Sequence, residues 1–172
     1  MLNKVNGTIL AIGVLGLAPA GIEAREVYSP FPGIVTATTT YSDGTPHRAV
    51  DVGASSCNYW GAETAVKGSL SWDVTIRTTG VVCKGNGSGN QNEAKHTFAD
   101  GYTFRQWHFI KTGDSYDRTC DRCQVGNIGA TGHATGPHAH LQYDRYGTND
   151  TSWYRVSKGQ SVNRSTIIGY ID

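Results

Sequence analysis

The chain has 172 residues, 15 basic and 14 acidic side chains and six histidines, so its net charge is close to zero. This balance disfavours nucleic acid and anionic membrane surfaces as partners, and the length suits one domain that buries its own core. Glycine is abundant at 22 residues, methionine occurs once, and no long amphipathic helical pattern is present. The composition therefore predicts an all-β protein with many turns.

The amino terminus has the pattern of a secretory signal peptide. Lys4 precedes a short apolar run that ends in Ala18-Pro19-Ala20, the small residues of a cleavage site. The run is too short to span a bilayer, so we expect no stable membrane insertion. We predict a signal peptide at residues 1–20 and a single domain at residues 21–172 of a secreted or periplasmic protein. A buried first strand, or a cut after Ala24, is the alternative.

Four cysteines support export, because an even number in an exported chain is typical of disulfides. Three pairings are possible among Cys57, Cys83, Cys120 and Cys123. We favour a local Cys120–Cys123 bridge with a longer Cys57–Cys83 bridge. The alternative, half of a zinc knuckle at Cys120 and Cys123, needs a second closely spaced pair, and Cys57 and Cys83 lie 26 positions apart.

The middle of the chain alternates strand and turn signals. We predict strands at residues 62–70 and 74–82, and a hairpin of residues 94–98 and 101–110 around Asp100-Gly101. The polar loop of residues 84–92 is expected to line a groove, since such loops often carry recognition. Two histidines lie near these elements: we expect His96 to be a solvated surface residue and His133 to lie at the rim of any site.

His47 and Asp51 open the first candidate site. The segment 47–54 is predicted to be a strand, on which both side chains would share one face with the small residues Ala49 and Gly53. Imidazole nitrogen and carboxylate oxygen are both good zinc ligands. A single pair with this spacing is weak evidence for a metal site, and it becomes stronger because a second group of histidines occurs further along the chain.

That second group is the triplet His138-Ala139-His140, which follows Pro137. On a strand, alternation would place His138, His140 and Gln142 on one face and apolar side chains on the other. Two imidazoles side by side can share one metal ion, or one can bind it while the other handles protons. A third histidine, His108, lies among aromatic residues, where a buried core histidine is the more common explanation.

These motifs together resemble the lysostaphin-type and β-lytic zinc metallopeptidases. The matching residues are His47-x-x-x-Asp51, Trp107-His108 and Gly129-x-Thr131-Gly132-x-x-Thr135-Gly136-Pro137-His138-x-His140. The resemblance spans residues 27–143, and its last motif is highly specific, although Ala139 stands where the family usually has leucine. It implies a compact antiparallel β-sheet or sandwich, the duplicated hybrid motif, with a substrate groove. It also implies cleavage of bacterial cell-wall peptides, often glycine-rich, and for some members of elastin.

Carried over by position, the resemblance makes His47, Asp51 and His140 the ligands of one zinc ion per chain, and His108 and His138 the catalytic histidines. Three protein ligands leave a fourth position for water, whose pKa zinc lowers to about 7. We expect His138 to take the proton of this water and pass it to the leaving amine, and His108 to donate to the oxyanion. The sequence does not determine which histidine has which role.

The predicted function is therefore that of a secreted zinc metalloendopeptidase, a monomer that hydrolyses peptidoglycan peptides or a glycine-rich protein. Two other functions stay open: a catalytically silent zinc-binding scaffold that regulates other cell-wall hydrolases, and a non-enzymatic secreted binding module. Silent domains of this kind typically lack a ligand or a catalytic histidine, and this chain lacks none of them.

Overall fold

A computed structural model describes residues 24–59 and 61–172, and every helix or strand in that part of the chain is a β-strand. The strands are β1 Arg25–Tyr28, β2 Gly33–Ala37, β3 Val50–Gly53, β4 Gly61–Glu63, β5 Leu70–Thr75, β6 Glu93–Thr97, β7 Thr103–Trp107, β8 Tyr116–Cys120, β9 Gln124–Asn127, β10 His138–Arg145, β11 Thr148–Asn149, β12 Ser161–Val162 and β13 Ile167–Ile171. All pairs are antiparallel. The prediction of an antiparallel all-β fold is confirmed. The predicted signal peptide, residues 1–20, lies outside the described residues.

The main sheet has the strand order β12-β2-β3-β10-β7-β6-β5-β8, with β11 paired to β10. Two ribbons, β1-β13 and β4-β9, accompany it. Side chains from one face of the sheet and from both ribbons join in a single apolar cluster, because alternate residues of each strand point to the same side. Its members include Val27, Ala62, Trp72, Phe104, Val125, Leu141, Trp153 and Ile168.

Strand β10 lies at the centre of this sheet, between β3 and β7. Ala139, Leu141 and Tyr143 are at most 1% exposed and belong to the core. The intervening side chains of this strand point to the opposite face, as the alternation predicted. Because β10 pairs with both neighbours, His140 lies opposite Asp51 on β3 and opposite Trp107 on β7. The sheet register thus brings three separate parts of the sequence to one point.

The predicted hairpin is confirmed, and the two strands predicted before it are wrong in extent. Strands β6 and β7 pair around Asp100-Gly101, where Gly101 adopts a φ of 86° that favours glycine. The segment 74–82 leaves the sheet after Thr75, because the buried Asn92 amide accepts from Arg77 N at 2.9 Å and Thr78 N at 3.0 Å. Within residues 62–70, strand β4 ends at Glu63 and strand β5 begins only at Leu70.

The expectation that His96 is solvated is wrong. This residue is 9% exposed and lies on β6 two residues after the fully buried Ala94, so it faces the core. Its Nδ1 is 2.7 Å from the carbonyl oxygen of Ser71, and its ring packs edge-on against Phe98 at 4.4 Å. His96 is therefore a core histidine whose polar group has a partner.

Both favoured disulfides are present, Cys57–Cys83 and Cys120–Cys123, with Cα–Cα distances of 5.6 and 5.8 Å. None of the four cysteines is free. The first bridge ties the segment before β4 to the start of the polar loop 84–92. Within residues 24–59 and 61–172, no helix has the length and apolar character needed to cross a membrane.

Candidate active site

His47 and Asp51 meet through a turn and not along a strand. The prediction that residues 47–54 form one strand is wrong at its start, because β3 begins at Val50 and Arg48 is left-handed with a φ of 55°. In an extended strand, residues four apart lie about 13 Å from each other, too far for two parallel side chains to share an ion. The turn instead brings His47 Nε2 within 3.1 Å of Asp51 Oδ1.

His140 completes a compact triangle of potential ligand atoms. Its Nδ1 is 3.0 Å from Asp51 Oδ1 and 3.1 Å from His47 Nε2. Atoms that bind a tetrahedral zinc ion at about 2.0–2.2 Å lie about 3.3–3.6 Å from one another, close to the three distances seen here. All three residues are buried, with exposed fractions of 5–7%. Among the described residues these three form the His/Cys/Asp/Glu group that is able to hold a metal ion.

When both rings are neutral, hydrogen bonds on their far side leave the facing nitrogens without a proton. His47 Nδ1 is 2.7 Å from the carbonyl oxygen of Thr38, which accepts a hydrogen bond from it. His140 Nε2 is 3.1 Å from Gln142 Oε1, which accepts in the same way. A metal-binding histidine commonly donates its second ring N–H to a carbonyl of this kind. The predicted ligands are thus in the tautomers that zinc requires.

The carboxyl of Asp51 is held in its ionised form. In the metal-free protein burial raises the pKa of this group, but hydrogen bonds from His140 and His47, which these rings donate when protonated, outweigh burial and bring the pKa below its usual value. A carboxylate and two neutral imidazoles form a donor set well suited to zinc. The residues present therefore fit the ion that the sequence resemblance implies.

His138 lies beside this triangle without belonging to it. Its Nε2 is 3.9 Å from Asp51 Oδ2, and its Nδ1 donates to the carbonyl oxygen of Gly136 at 2.9 Å. Its Nε2 therefore has no proton when the ring is neutral. Such a nitrogen beside the ligands is able to accept a proton from a water molecule.

His108 faces His138 across the site, with ring centroids 4.5 Å apart. It follows the last residue of β7 and has a φ of 77°, a strained conformation for a residue other than glycine that is common at functional sites. Its Nδ1 donates to the carbonyl oxygen of Thr131 at 2.6 Å. Burial and then the charge of His138 lower the pKa of His108 to about 3, so this ring is neutral and its Nε2 is also without a proton.

Sequence reasoning missed two aromatic residues of the site. The Tyr41 ring lies 4.4 Å from the His47 ring, and the residue lines the same cavity as Asp51 and His138. The Trp107 ring stacks on His140 at 4.6 Å with an interplanar angle of 8°. Trp107 belongs to the motif that carries the resemblance, but the motif assigns it no role. Tyr41 gave no signal because it starts a polar loop whose path the sequence does not define.

The site lies in a groove with a cavity of about 320 Å³. Ser88, Gly89 and Gln91 form part of one wall, which confirms that the polar loop lines a groove, and His133 lies at its exposed rim as predicted. The loop is anchored by Asn86, whose N donates to the Gly132 carbonyl oxygen at 2.9 Å and whose Oδ1 accepts from Gly132 N at 2.6 Å. The wall is thus attached to the segment that leads into β10.

No family model and no curated protein matches the chain. Solved structures do match it, and two of them are zinc or M23 peptidases. A zinc-containing peptidase from Vibrio cholerae is 18% identical with a TM-score of 0.43, over 73% of this chain and 39% of that protein. The deep-sea M23 metalloprotease pseudoalterin is 16% identical with a TM-score of 0.39, over 82% of this chain and 81% of that protein. The chain thus matches about two fifths of the length of the first protein. Likenesses at this level carry no argument about activity.

Proposed function

We propose that this protein is an exported zinc metalloendopeptidase. One observation carries the proposal: two histidine nitrogens and a carboxylate oxygen lie 3.0–3.1 Å apart beneath a groove that Asp51 and His140 line, with two further histidines beside them. Three protein ligands are the arrangement of catalytic zinc, whereas structural sites are usually closed by four. The 3.0–3.1 Å separations among His47, Asp51 and His140 support this assignment of the ligands.

When bound, the ion would supply a Lewis acid that acidifies a water molecule and polarises the carbonyl group of the substrate. His138 would take the proton of the attacking water at Nε2 and pass it to the leaving amine. The carbonyl of Gly136 supports this role, because it keeps the ring proton on Nδ1. His138 is also less buried than His108, so water and substrate reach its ring more easily.

Donation from His108 to the oxyanion, as expected from the sequence, requires a protonated ring. The neutral tautomer imposed by Thr131 offers only an acceptor at Nε2, so we propose that His108 accepts a hydrogen bond and helps to orient the water or the amine. The Tyr41 hydroxyl is the better donor for the oxyanion. Burial and then the Asp51 charge raise the pKa of Tyr41 above its usual value, so its proton is retained at neutral pH.

Replacing Tyr41 with phenylalanine tests this assignment. Removal of one oxyanion donor typically lowers kcat about 10²–10³-fold, while the ring that packs on His47 is kept. We expect Tyr41→Phe to retain zinc and to lose rate mainly in kcat, measured on a soluble peptide substrate. Tyr170→Phe, which changes an exposed tyrosine on β13, is the matched control. An unchanged kcat in Tyr41→Phe would remove the hydroxyl from the mechanism.

The shape of the groove supports cleavage within a chain. On one side of the histidines the groove continues past the small residues Ala37, Gly53, Ala54 and Gly136. On the other side it continues past Trp107 into a polar cleft. A peptide is thus able to extend in both directions from the scissile bond, and the small residues leave room for a substrate main chain. We propose peptidoglycan cross-bridge or stem peptides, or another glycine-rich protein, as substrate.

Location outside the cytoplasm is part of the proposal. Two disulfides persist most readily in an oxidising compartment, which favours a secreted or periplasmic protein. Neither a nucleic acid nor a membrane is needed as a partner, and we propose that the protein acts as a monomer. Size-exclusion chromatography with light scattering would contradict the last point if it gave a dimer mass.

The experiment for the proposed function is product analysis after incubation with purified peptidoglycans of differing cross-bridges. We expect new amino termini in the cross-bridge or stem peptides, and no products after a chelator has removed the metal. Zinc binding without new amino termini in any substrate would favour the silent scaffold. Binding to peptidoglycan that is insensitive both to the chelator and to loss of His140 would favour the non-enzymatic module.

A further inference from the structure

A row of polar side chains leads away from His140 across the same face of the sheet. Gln142 and Asp144 follow it on β10, and Arg105 and Glu93 continue the row on β7 and β6. None of these four side chains has a part in the proposed chemistry. Their contacts are nevertheless continuous from the metal ligand to the far strand.

The first contact determines which nitrogen of His140 binds the metal. Nδ1 faces Asp51 and His47, so it must be free of a proton to act as a ligand, and the proton must then lie on Nε2. Gln142 Oε1 is 3.1 Å from Nε2 and accepts its hydrogen bond. A carbonyl-type acceptor at this position favours the required tautomer.

The second contact determines which end of the Gln142 amide faces His140. Gln142 Nε2 donates to Asp144 Oδ1 at 2.7 Å and to Asn149 Oδ1 at 3.3 Å. Because an ionised carboxylate is only an acceptor, the amide nitrogen must point towards Asp144. The amide oxygen is then the atom left for His140.

The third contact holds Asp144 itself. Its Oδ2 accepts from Arg105 Nε at 3.1 Å and from Thr103 Oγ1 at 3.3 Å, and Arg105 Nη1 pairs with Glu93 Oε1 at 2.7 Å. The side chains of Asp144 and Glu93 are only 12% and 14% exposed. Partly buried, charge-assisted hydrogen bonds of this kind are stronger and more directional than exposed ion pairs.

We propose that Gln142 is a positioning residue for the metal ligand His140, and that Asp144 and Arg105 fix its orientation. The inference rests on the proposed function in one respect, the role of His140 as a ligand. Loss of a residue that orients a metal ligand typically costs 10–100-fold in metal affinity. Gln142 is therefore expected to affect zinc binding without touching the metal.

The test is the zinc affinity of variants, measured by competition with a chromophoric chelator. Gln142→Leu keeps a side chain of similar size but removes the acceptor, and we expect 10–100-fold weaker zinc binding. Gln160→Leu changes a glutamine in an exposed turn away from this row and is the matched control, with affinity unchanged. Affinity of Gln142→Leu within threefold of the wild-type protein would overturn the proposal.

A charge exchange tests the orientation by Asp144. Gln142→Glu alone places two carboxylates in contact. Asp144→Asn alone turns a new NH2 group either towards the NH2 group of Gln142 or towards Arg105, so that two donors face each other. Each single change is therefore expected to weaken zinc binding. The double variant restores the contacts between positions 142, 144 and 105, because the new amide at position 144 donates to the new carboxylate at position 142 and still accepts from Arg105. The Asn149 side chain then has to turn its amide NH2 group towards the carboxylate in place of its oxygen. We expect the double variant to recover affinity to within about threefold of wild type, well inside the 10–100-fold loss expected for the single changes. Failure to recover would exclude the orienting role of Asp144.

Two further readouts separate positioning from a general structural role. The unfolding temperatures of the metal-free variants should not follow the order of their zinc affinities. A purely structural effect would instead lower the unfolding temperature and the zinc affinity in the same order. In proton NMR spectra of the zinc-loaded protein, the slowly exchanging Nε2 proton of His140 should be lost in Gln142→Leu. Neither readout depends on turnover, so a wild-type protein that binds zinc but cleaves no peptide would contradict the proposed function and leave this inference standing.

Discussion

His140→Ala is expected to lose its bound zinc and all detectable peptide hydrolysis. His140 supplies one atom of the triangle, and its removal leaves only His47 and Asp51, 3.1 Å apart, as ligands. It also removes the ring on which Trp107 stacks and the N–H group that donates to Gln142. The measurements are elemental analysis of the purified variant and a peptide-cleavage assay in the same buffer.

The matched control is His133→Ala, which removes an exposed histidine of the groove rim that lies outside the ligand group. This control is expected to keep one zinc ion per chain. A full complement of zinc in His140→Ala, with a circular dichroism spectrum like that of the wild-type protein, would contradict the assignment of the ligands.

The second large effect is expected from His138→Ala, which should keep its zinc and its fold but lose hydrolysis. Three ligands remain in place, and His138 is outside the group of three. General acid–base catalysis contributes typically 10²–10⁴-fold, so the fall in rate should be of that order. The measurement is zinc content and cleavage rate, side by side with His140→Ala.

The same pair of measurements applied to His108→Ala should also give retained zinc and a lower rate, because His108 contacts His138 but is not one of the three ligands. If His138→Ala loses its zinc while His140→Ala keeps it, the roles of the two histidines on β10 are reversed. The mechanism proposed here would then be wrong.

The sequence predicted the central strand well because its pattern is local. Ala139, Leu141 and Tyr143 alternate with polar residues, and in a half-buried strand this alternation places the apolar side chains on the buried face. The disulfides were predicted from the even number of cysteines and the export signal, with the local Cys120–Cys123 bridge in the favoured one of three pairings. Neither prediction needed knowledge of which strands become neighbours.

The first ligand pair shows where pattern reasoning fails. A regular strand from His47 to Asp51 would have separated the two side chains, and the site exists because Arg48 is left-handed. Positive φ for an arginine has no sequence signature and is imposed by bonds to the Thr39 carbonyl oxygen. The conformation of His108 is of the same kind, and it is fixed by backbone bonds to Asn92 and Thr131.

Tertiary contacts explain the remaining errors. The side chain of Asn92 replaces a neighbouring strand as partner for residues 77 and 78, so a β-branched segment is not a strand. His96 is buried because the Ser71 carbonyl oxygen satisfies its ring. Tyr41 reaches the site through a loop whose path depends on contacts with the rest of the fold. None of these partners is near in sequence.

The central claim is that one zinc ion held by His47, Asp51 and His140 carries out peptide hydrolysis. Its most direct test is titration of zinc into chelator-treated wild-type protein, following hydrolysis of peptidoglycan peptides at each addition. We predict that activity is absent without metal, rises linearly and reaches its maximum at one equivalent of zinc. Full hydrolysis by protein shown by elemental analysis to be free of metal, or none at one bound equivalent, would contradict the claim.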